Sequence, residues 1–162
     1  MMTKQNHAKI TFDASSMNEG FARMVIMGFM MDMNPTMDEL QDVKTAVSEA
    51  VTNAIIHGYS DGEKEGSLKD EKQQVEMICV REGKKLSVTI TDFGVGMDDV
   101  EEARQPFFTS KPQEERSGMG FVFMETFMDE VEVFSKVGEG TSVRMSKYIK
   151  GEEMSLKEKC VE

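Results

Sequence analysis

From Thr36 to His57 the chain runs without a proline or a glycine. Thr36 and Glu39 form the T-x-x-E pattern of a capping box, in which each side chain satisfies a backbone N–H of the other. Pro35 breaks whatever precedes, and Gly58 stands at the far end. A helix this long must bury one face, so its side-chain pattern constrains the whole fold. Ala50, Val51, Ala54 and Ile55 supply an apolar arc. Glu49, Asn53 and His57 follow one another at steps of four, each only about 40° further around a helix of ~3.6 residues per turn. The result is a shallow polar stripe beside the apolar arc. Such a stripe is ordinarily a solvated face. It is also what a site would use: Glu49 as a base, Asn53 as a metal ligand, and a glycine ending the helix.

The remaining segments supply partners for that helix. Residues 8–13, AKITFD, alternate as a short strand. Residues 16–31 have helical apolar spacing, with Phe21, Met24, Val25, Gly28 and Met31 on or near one face. Met24, Met27 and Met31 are expected in a core or in a seam between two copies. A polar loop covers 60–71, and QQVEMICVREGKKLSVTITDFG reads as two strands turning near Glu82-Gly83-Lys84. A short helix is expected over 98–104, an irregular stretch with Pro106 and Pro112 over 105–118, and a helix over GFVFMETFMDE. VEVFSK and TSVRMSKYI then close the chain as a hairpin. The order β-α-α-ββ-α-α-ββ predicts an α+β fold of two layers, a mostly antiparallel sheet with helices on one face. Residues 1–150 form the expected single domain, and 151–162 a charged tail.

Acidic residues exceed basic ones by 30 to 19, a net charge of −11, which argues against a nucleic-acid partner held through its phosphates. With 39% hydrophobic and 30% charged residues the chain reads as globular. No apolar run approaches the ~20 residues of a membrane span, and MMTKQNHAKI lacks a signal-peptide core, so no membrane association and a cytoplasmic location are expected. Cys79 and Cys160 suggest neither a disulfide framework nor a metal cluster.

Two glycine-rich turns complete the pattern. Asp92-Phe93-Gly94-Val95-Gly96 ends a strand and sets one carboxylate beside positions where backbone can approach a ligand; an Asp there can accept from an amino group such as adenine's. Ser117-Gly118-Met119-Gly120 precedes a helix, whose free N–H groups favour phosphate. Each turn is weak evidence alone. Asp92-Phe93-Gly94 also spells the DFG of eukaryotic-type kinases, but no H-R-D catalytic loop and no G-x-x-x-x-G-K-[ST] phosphate loop accompany it.

In this order the three elements resemble the GHKL ATPase superfamily: an N-box as Glu49, Asn53, His57 and Gly58, a G1 box as Asp92, Gly94 and Gly96, and a G2 box as Gly118 and Gly120, with Gly140-Thr141 late on the last hairpin. The resemblance implies a Bergerat-type ATPase fold that binds ATP or ADP with Mg²⁺. Asn53 would hold the ion through its side-chain oxygen, Asp92 would recognise the adenine amine with Thr141 close by, and His57 would belong to the same nucleotide site. Gly94 and Gly96 would let backbone approach the nucleotide, and Ser117, Gly118, Met119 and Gly120 would close over the phosphates. Glu49 would orient and deprotonate the attacking hydroxyl. The segment RQPFFTSKPQEERSGMG resembles an ATP lid, with Arg104, Lys111 and Arg116 as positive charge, Thr109 and Ser110 as hydroxyl ligands or turn formers, and Phe107 and Phe108 as latches.

Within that superfamily the chain is too short for the extra domain of gyrase-type or chaperone members. Neither histidine fits the phospho-acceptor of a histidine kinase's helical hairpin, since His7 lies in an apparent terminal strand and His57 belongs to the N-box. NEGFARM, NPTMDELQDVKTAVSEAVTNAIIHGY and DDVEEARQPFFTSKPQEERSGMGFVFMETFMDEVEV are similar to the anti-sigma F factors of spore-forming bacteria. That resemblance implies a homodimeric protein serine kinase that sequesters a sporulation sigma factor of the sigma F type and phosphorylates an anti-anti-sigma protein, with Arg23 at a partner-contacting position. A longer 60–71 loop and Phe93, often polar in relatives, depart from the pattern. A general-stress anti-sigma kinase and a non-catalytic, nucleotide-gated sigma-binding module stand as alternatives. Nine of the 16 methionines fall within residues 1–37, the adaptable side chain of surfaces that fit several partners.

Overall fold

The computed structural model describes residues 2–59, 73–106 and 119–152. In chain order these form β1 (Gln5–Asp13), α1 (Asn18–Met30), α2 (Met37–Tyr59), β2 (Gln74–Glu82), β3 (Lys85–Asp92), α3 (Val100–Ala103), α4 (Gly120–Phe127), β4 (Glu130–Lys136) and β5 (Gly140–Tyr148). The five strands make one sheet in the order β1-β2-β3-β5-β4, every pair antiparallel. This is the two-layer α+β arrangement that the element order predicts.

The register explains the layering. Met77, Ile90, Val143 and Val133 lie in one row across four strands, and Cys79, Val88, Met145 and Val131 in the next. These rows face the helices; the intervening residues are mostly polar and face away. Val43, Ala46, Val47, Ala50, Val51 and Ala54 of α2 are buried against them, closing the core. Burial pushes the Cys79 thiol up to about 12, so it behaves as a small apolar side chain.

The capping box forms as expected: Thr36 N–H donates to Glu39 Oε2 at 2.9 Å, and Glu39 N–H to Thr36 Oγ1 at 3.1 Å. Glu39 does more than cap. Its buried carboxylate also accepts from Lys150 N–H at 2.7 Å and Gly151 N–H at 3.2 Å, while Glu152 N–H donates to the Asn34 carbonyl at 3.0 Å. Residues 149–152 are thereby held to the start of α2. Asn34 makes room for this by adopting a left-handed backbone, φ 51°.

On α1 the structure overturns one half of the expectation for Met24 and Met31, the core, and leaves the seam between two copies. Ala22, Ile26 and Met30 face the core, whereas Met17, Phe21, Met24 and Met31 are 85%, 48%, 66% and 51% exposed. Met24 and Met31 are therefore not core residues. The segment is apolar almost all round, so periodicity could not choose its inner face. Packing chose the side where small Ala22 and branched Ile26 let α1 lie close to its neighbours. The 60–71 loop and Cys160 lie outside the described residues. Among the described residues, no helix is long and apolar enough to cross a membrane.

Candidate functional site

The site gathers where the end of β3, the last turns of α2 and the start of α4 meet. Asp92 is the last residue of β3 and stands on the helix-facing row, between Val75 of β2 and Thr141 of β5. It is only 5% exposed. Burial raises its pKa from 3.8 to about 6, against the opposing pull of the Gly94 and Thr141 backbone N–H groups and of nearby His57. The Gly94 bond to Asp92 Oδ1 measures 3.0 Å. A buried carboxylate that accepts from two backbone N–H groups has acceptor capacity left for a further donor.

Gly58, at the foot of the Glu49–Asn53–His57 stripe, touches that carboxylate: a Cβ there would lie 2.7 Å from Asp92 Cγ. Gly94 in turn lies against the helix end, where a Cβ would meet the Gly58 carbonyl oxygen at 1.7 Å, and Val95 N–H donates to the same oxygen at 3.1 Å. The absent side chain at Gly94 thus serves helix–loop contact. At Gly96, φ is +72° and a Cβ would meet the Lys136 carbonyl, so this glycine seats the loop on the β4–β5 turn.

Two turns back along α2, Asn53 and Glu49 are half-buried and face the head of α4. A Cβ on Gly120 would come within 3.0 Å of Asn53 Nδ2 and 3.3 Å of Glu49 Oε2. The second glycine element therefore abuts the polar stripe directly, with half-buried Met119 beside it as the residue before the helix. Thr141 shares its row with Asp92, and its hydroxyl lies 2.7 Å from Ser135 Oγ.

Other expected residues fall elsewhere. Arg104 pairs with Glu125 of α4, its Nε and Nη2 donating to Oε1 at 2.9 and 2.5 Å, and Nη2 also reaches the Val131 carbonyl at 3.4 Å. Arg23 sits half-buried on α1, beside the exposed apolar stripe. Phe107, Phe108, Thr109, Ser110, Lys111, Arg116, Ser117 and Gly118 lie outside the described residues.

Two contributors escaped sequence reasoning. Tyr59 ends α2, and its hydroxyl accepts from Phe93 N–H at 2.7 Å and donates to the Gln74 carbonyl at 2.5 Å. Ser135 Oγ accepts from Met97 N–H at 2.8 Å and donates to the Gly140 carbonyl at 3.1 Å, tying the glycine loop to the hairpin. Ser135 was detectable only as a polar residue on the inward period of β4. The sole signal for Tyr59 was its place directly after Gly58.

The residues fit a magnesium nucleotide. Asn53 offers an amide oxygen for a hard cation, Glu49 a carboxylate beside it, Asp92 a buried acceptor for a base amino group, and Gly120 a close backbone approach that a side chain would crowd.

Residues 12–147 match the family model described as histidine kinase-like ATPase domain, so fold and site define a chain of that class, a GHKL-type nucleotide-binding domain. Curated relatives narrow it. The chain is 50% identical to the anti-sigma F factor of Anoxybacillus flavithermus over 90% of its own length and 94% of that protein's. It is 49% identical to that of Clostridium perfringens, over 88% and 96%. The chain belongs to the anti-sigma F factor family. Among solved structures, the RsbU and RsbW domains of Rv1364c from Mycobacterium tuberculosis share the fold with a TM-score of 0.59 at 17% identity, over 89% of this chain and 32% of that one.

Proposed function

We propose that the protein is an ATP-dependent serine kinase that also sequesters a sporulation sigma factor of the sigma F type, its phosphoryl acceptor being a serine of an anti-anti-sigma protein. The observation that carries the kinase reading is the contact of Gly120 with both Asn53 and Glu49. A nucleotide-binding module needs an ion ligand, but it does not need a carboxylate beside that ligand at the phosphate end. Glu49 orients the acceptor hydroxyl and takes its proton as the new bond forms. Asn53 would hold Mg²⁺ through its amide oxygen, and the ion would supply charge neutralisation for phosphoryl transfer. Asp92 accepts the adenine amine, with Thr141 and His57 beside it. Lys111, Arg116 and the hydroxyls of Thr109 and Ser110 complete the phosphate cover together with Ser117 and Gly118.

Protein partners meet the exposed Met17, Phe21, Met24 and Met31 stripe of α1, with Arg23 on its flank. The family name of the relatives and the large apolar exposure of this helix both support a docking face, for the sigma factor and in a homodimer. Mixing γ-labelled Mg-ATP with the protein and the candidate anti-anti-sigma protein tests the reading. Label on a partner serine, lost with Glu49→Gln while ATP binding persists, is the expected result. Tight ATP binding without transfer would favour the nucleotide-gated binding module.

A further inference from the structure

Tyr59 joins three parts of the chain through one oxygen. Its hydroxyl donates to the carbonyl of Gln74, the first residue of β2, at 2.5 Å. It accepts from the backbone N–H of Phe93, the residue after Asp92, at 2.7 Å. One residue earlier on α2, the Gly58 carbonyl accepts from Val95 N–H at 3.1 Å. The loop leaving β3 is thus hung from the last two residues of α2 by two bonds, with Asp92 just ahead of the suspended segment. Asp92 Oδ1 is then held by Gly94 N–H, which lies between the two hanging points.

Rotation of the peptide that joins Asp92 to Phe93 would break the Tyr59 bond, and with it the direction of the carboxylate. Resting on the nucleotide reading above, we propose that Tyr59 is a positioning residue for nucleobase selection. Its hydroxyl fixes the Asp92–Phe93 peptide so that the carboxylate meets an exocyclic amino group, as on adenine, and repels a carbonyl at the same place, as on guanine. The phenol suits this work. Burial, and to a lesser degree the Asp92 charge, hold its pKa above the ordinary value, keeping it a neutral group that both donates and accepts. The ring is half-buried against the core, so Tyr59→Phe keeps the packing and removes only the bridging oxygen.

Titration calorimetry of the full chain with Mg-ATP and with Mg-GTP reads the effect as a ratio. The wild type should prefer ATP. Y59F should bind ATP about tenfold more weakly while GTP changes less than about twofold, because only the adenine amino group depends on the direction of the carboxylate. A general loosening of the fold would weaken both nucleotides alike, so an unchanged ATP-to-GTP ratio overturns the proposal. Amide exchange on the nucleotide-free wild type tests it without any substitution. The Phe93 amide should be protected like those of β3, and exchange as fast as the exposed Asp98 amide would overturn it even if Y59F failed to fold. A wild type that bound neither nucleotide would overturn the nucleotide reading itself, an outcome distinct from the other two.

Discussion

Replacing Asp92 with asparagine should make the nucleotide-free protein more stable while removing the proposed contact with adenine. The Asp92 carboxyl is 5% exposed, and burial lifts its pKa from 3.8 to about 6. For an acid whose folded pKa is raised, ionisation works against the fold. The penalty is fully present above pH 6, fades as pH falls through the folded pKa, and is gone below the unfolded value. A shift of roughly two pKa units corresponds to about 3 kcal/mol. Asparagine carries no charge at any pH and escapes this penalty. Its Oδ1 still accepts the Gly94 N–H, but a neutral amide oxygen is a weaker acceptor than a carboxylate for these backbone donors, which costs about 1 kcal/mol. D92N should therefore exceed the wild type by about 2 kcal/mol at pH 7.5, a rise in Tm of about 4–8 °C. The advantage should shrink through pH 6 to 4 and reverse at the acid end. Thermal and urea melts of both proteins from pH 3.5 to 7.5 measure the difference, in which every other carboxylate cancels. A difference that stays flat with pH refutes the reasoning. In the same melts Mg-ATP should raise the Tm of the wild type and leave that of D92N unchanged.

Three further outcomes are expected. Gly120→Ala places a methyl 3.0 Å from Asn53 Nδ2 and 3.3 Å from Glu49 Oε2, and phosphoryl transfer to the partner protein should fall at least about tenfold with little change in Tm. Glu39→Ala strips the acceptor from the Thr36, Lys150 and Gly151 N–H groups, and urea unfolding should show a loss of about 3 kcal/mol. Met24→Lys sits on the exposed side of α1 and should leave the melting curve nearly unchanged while weakening capture of the protein partner about tenfold; equal capture would move the docking face elsewhere.

Local chemistry was legible in the sequence, and long-range backbone bonding was not. The Thr36–Glu39 cap could be read because both partners sit three residues apart on one turn. The Glu49–Asn53–His57 stripe could be read because helical spacing alone brings its members together. The inner face of α1 was hidden, since Phe21, Met24 and Met31 are as apolar as Ile26 and Met30 and only the packing distinguishes them. Arg104 stands out in the sequence as a positive charge of the lid-like segment, but its pairing with Glu125, 21 residues on, could not be read there. Tyr59 and Ser135 bind mainly backbone atoms, and a backbone carbonyl or N–H leaves no mark in the residue types of the strand that carries it.

Helix α2 has no loose end. Glu39 clasps its first turn to Lys150 and Gly151, and Gly58 with Tyr59 clasp its last turn to the loop after Asp92. Glu49 and Asn53 ride between the two clasps as fixed marks on a ruler. The helix cannot slide or tilt to suit one nucleotide over another without breaking bonds at an extremity. Movement beside Glu49 and Asn53 is then left to what packs against them, beginning with the head of α4 at Gly120. The same anchoring ties residues 150 and 151 mechanically to the polar stripe: a pull that lifted Gly151 off Glu39 would uncap the helix that carries Glu49 and Asn53.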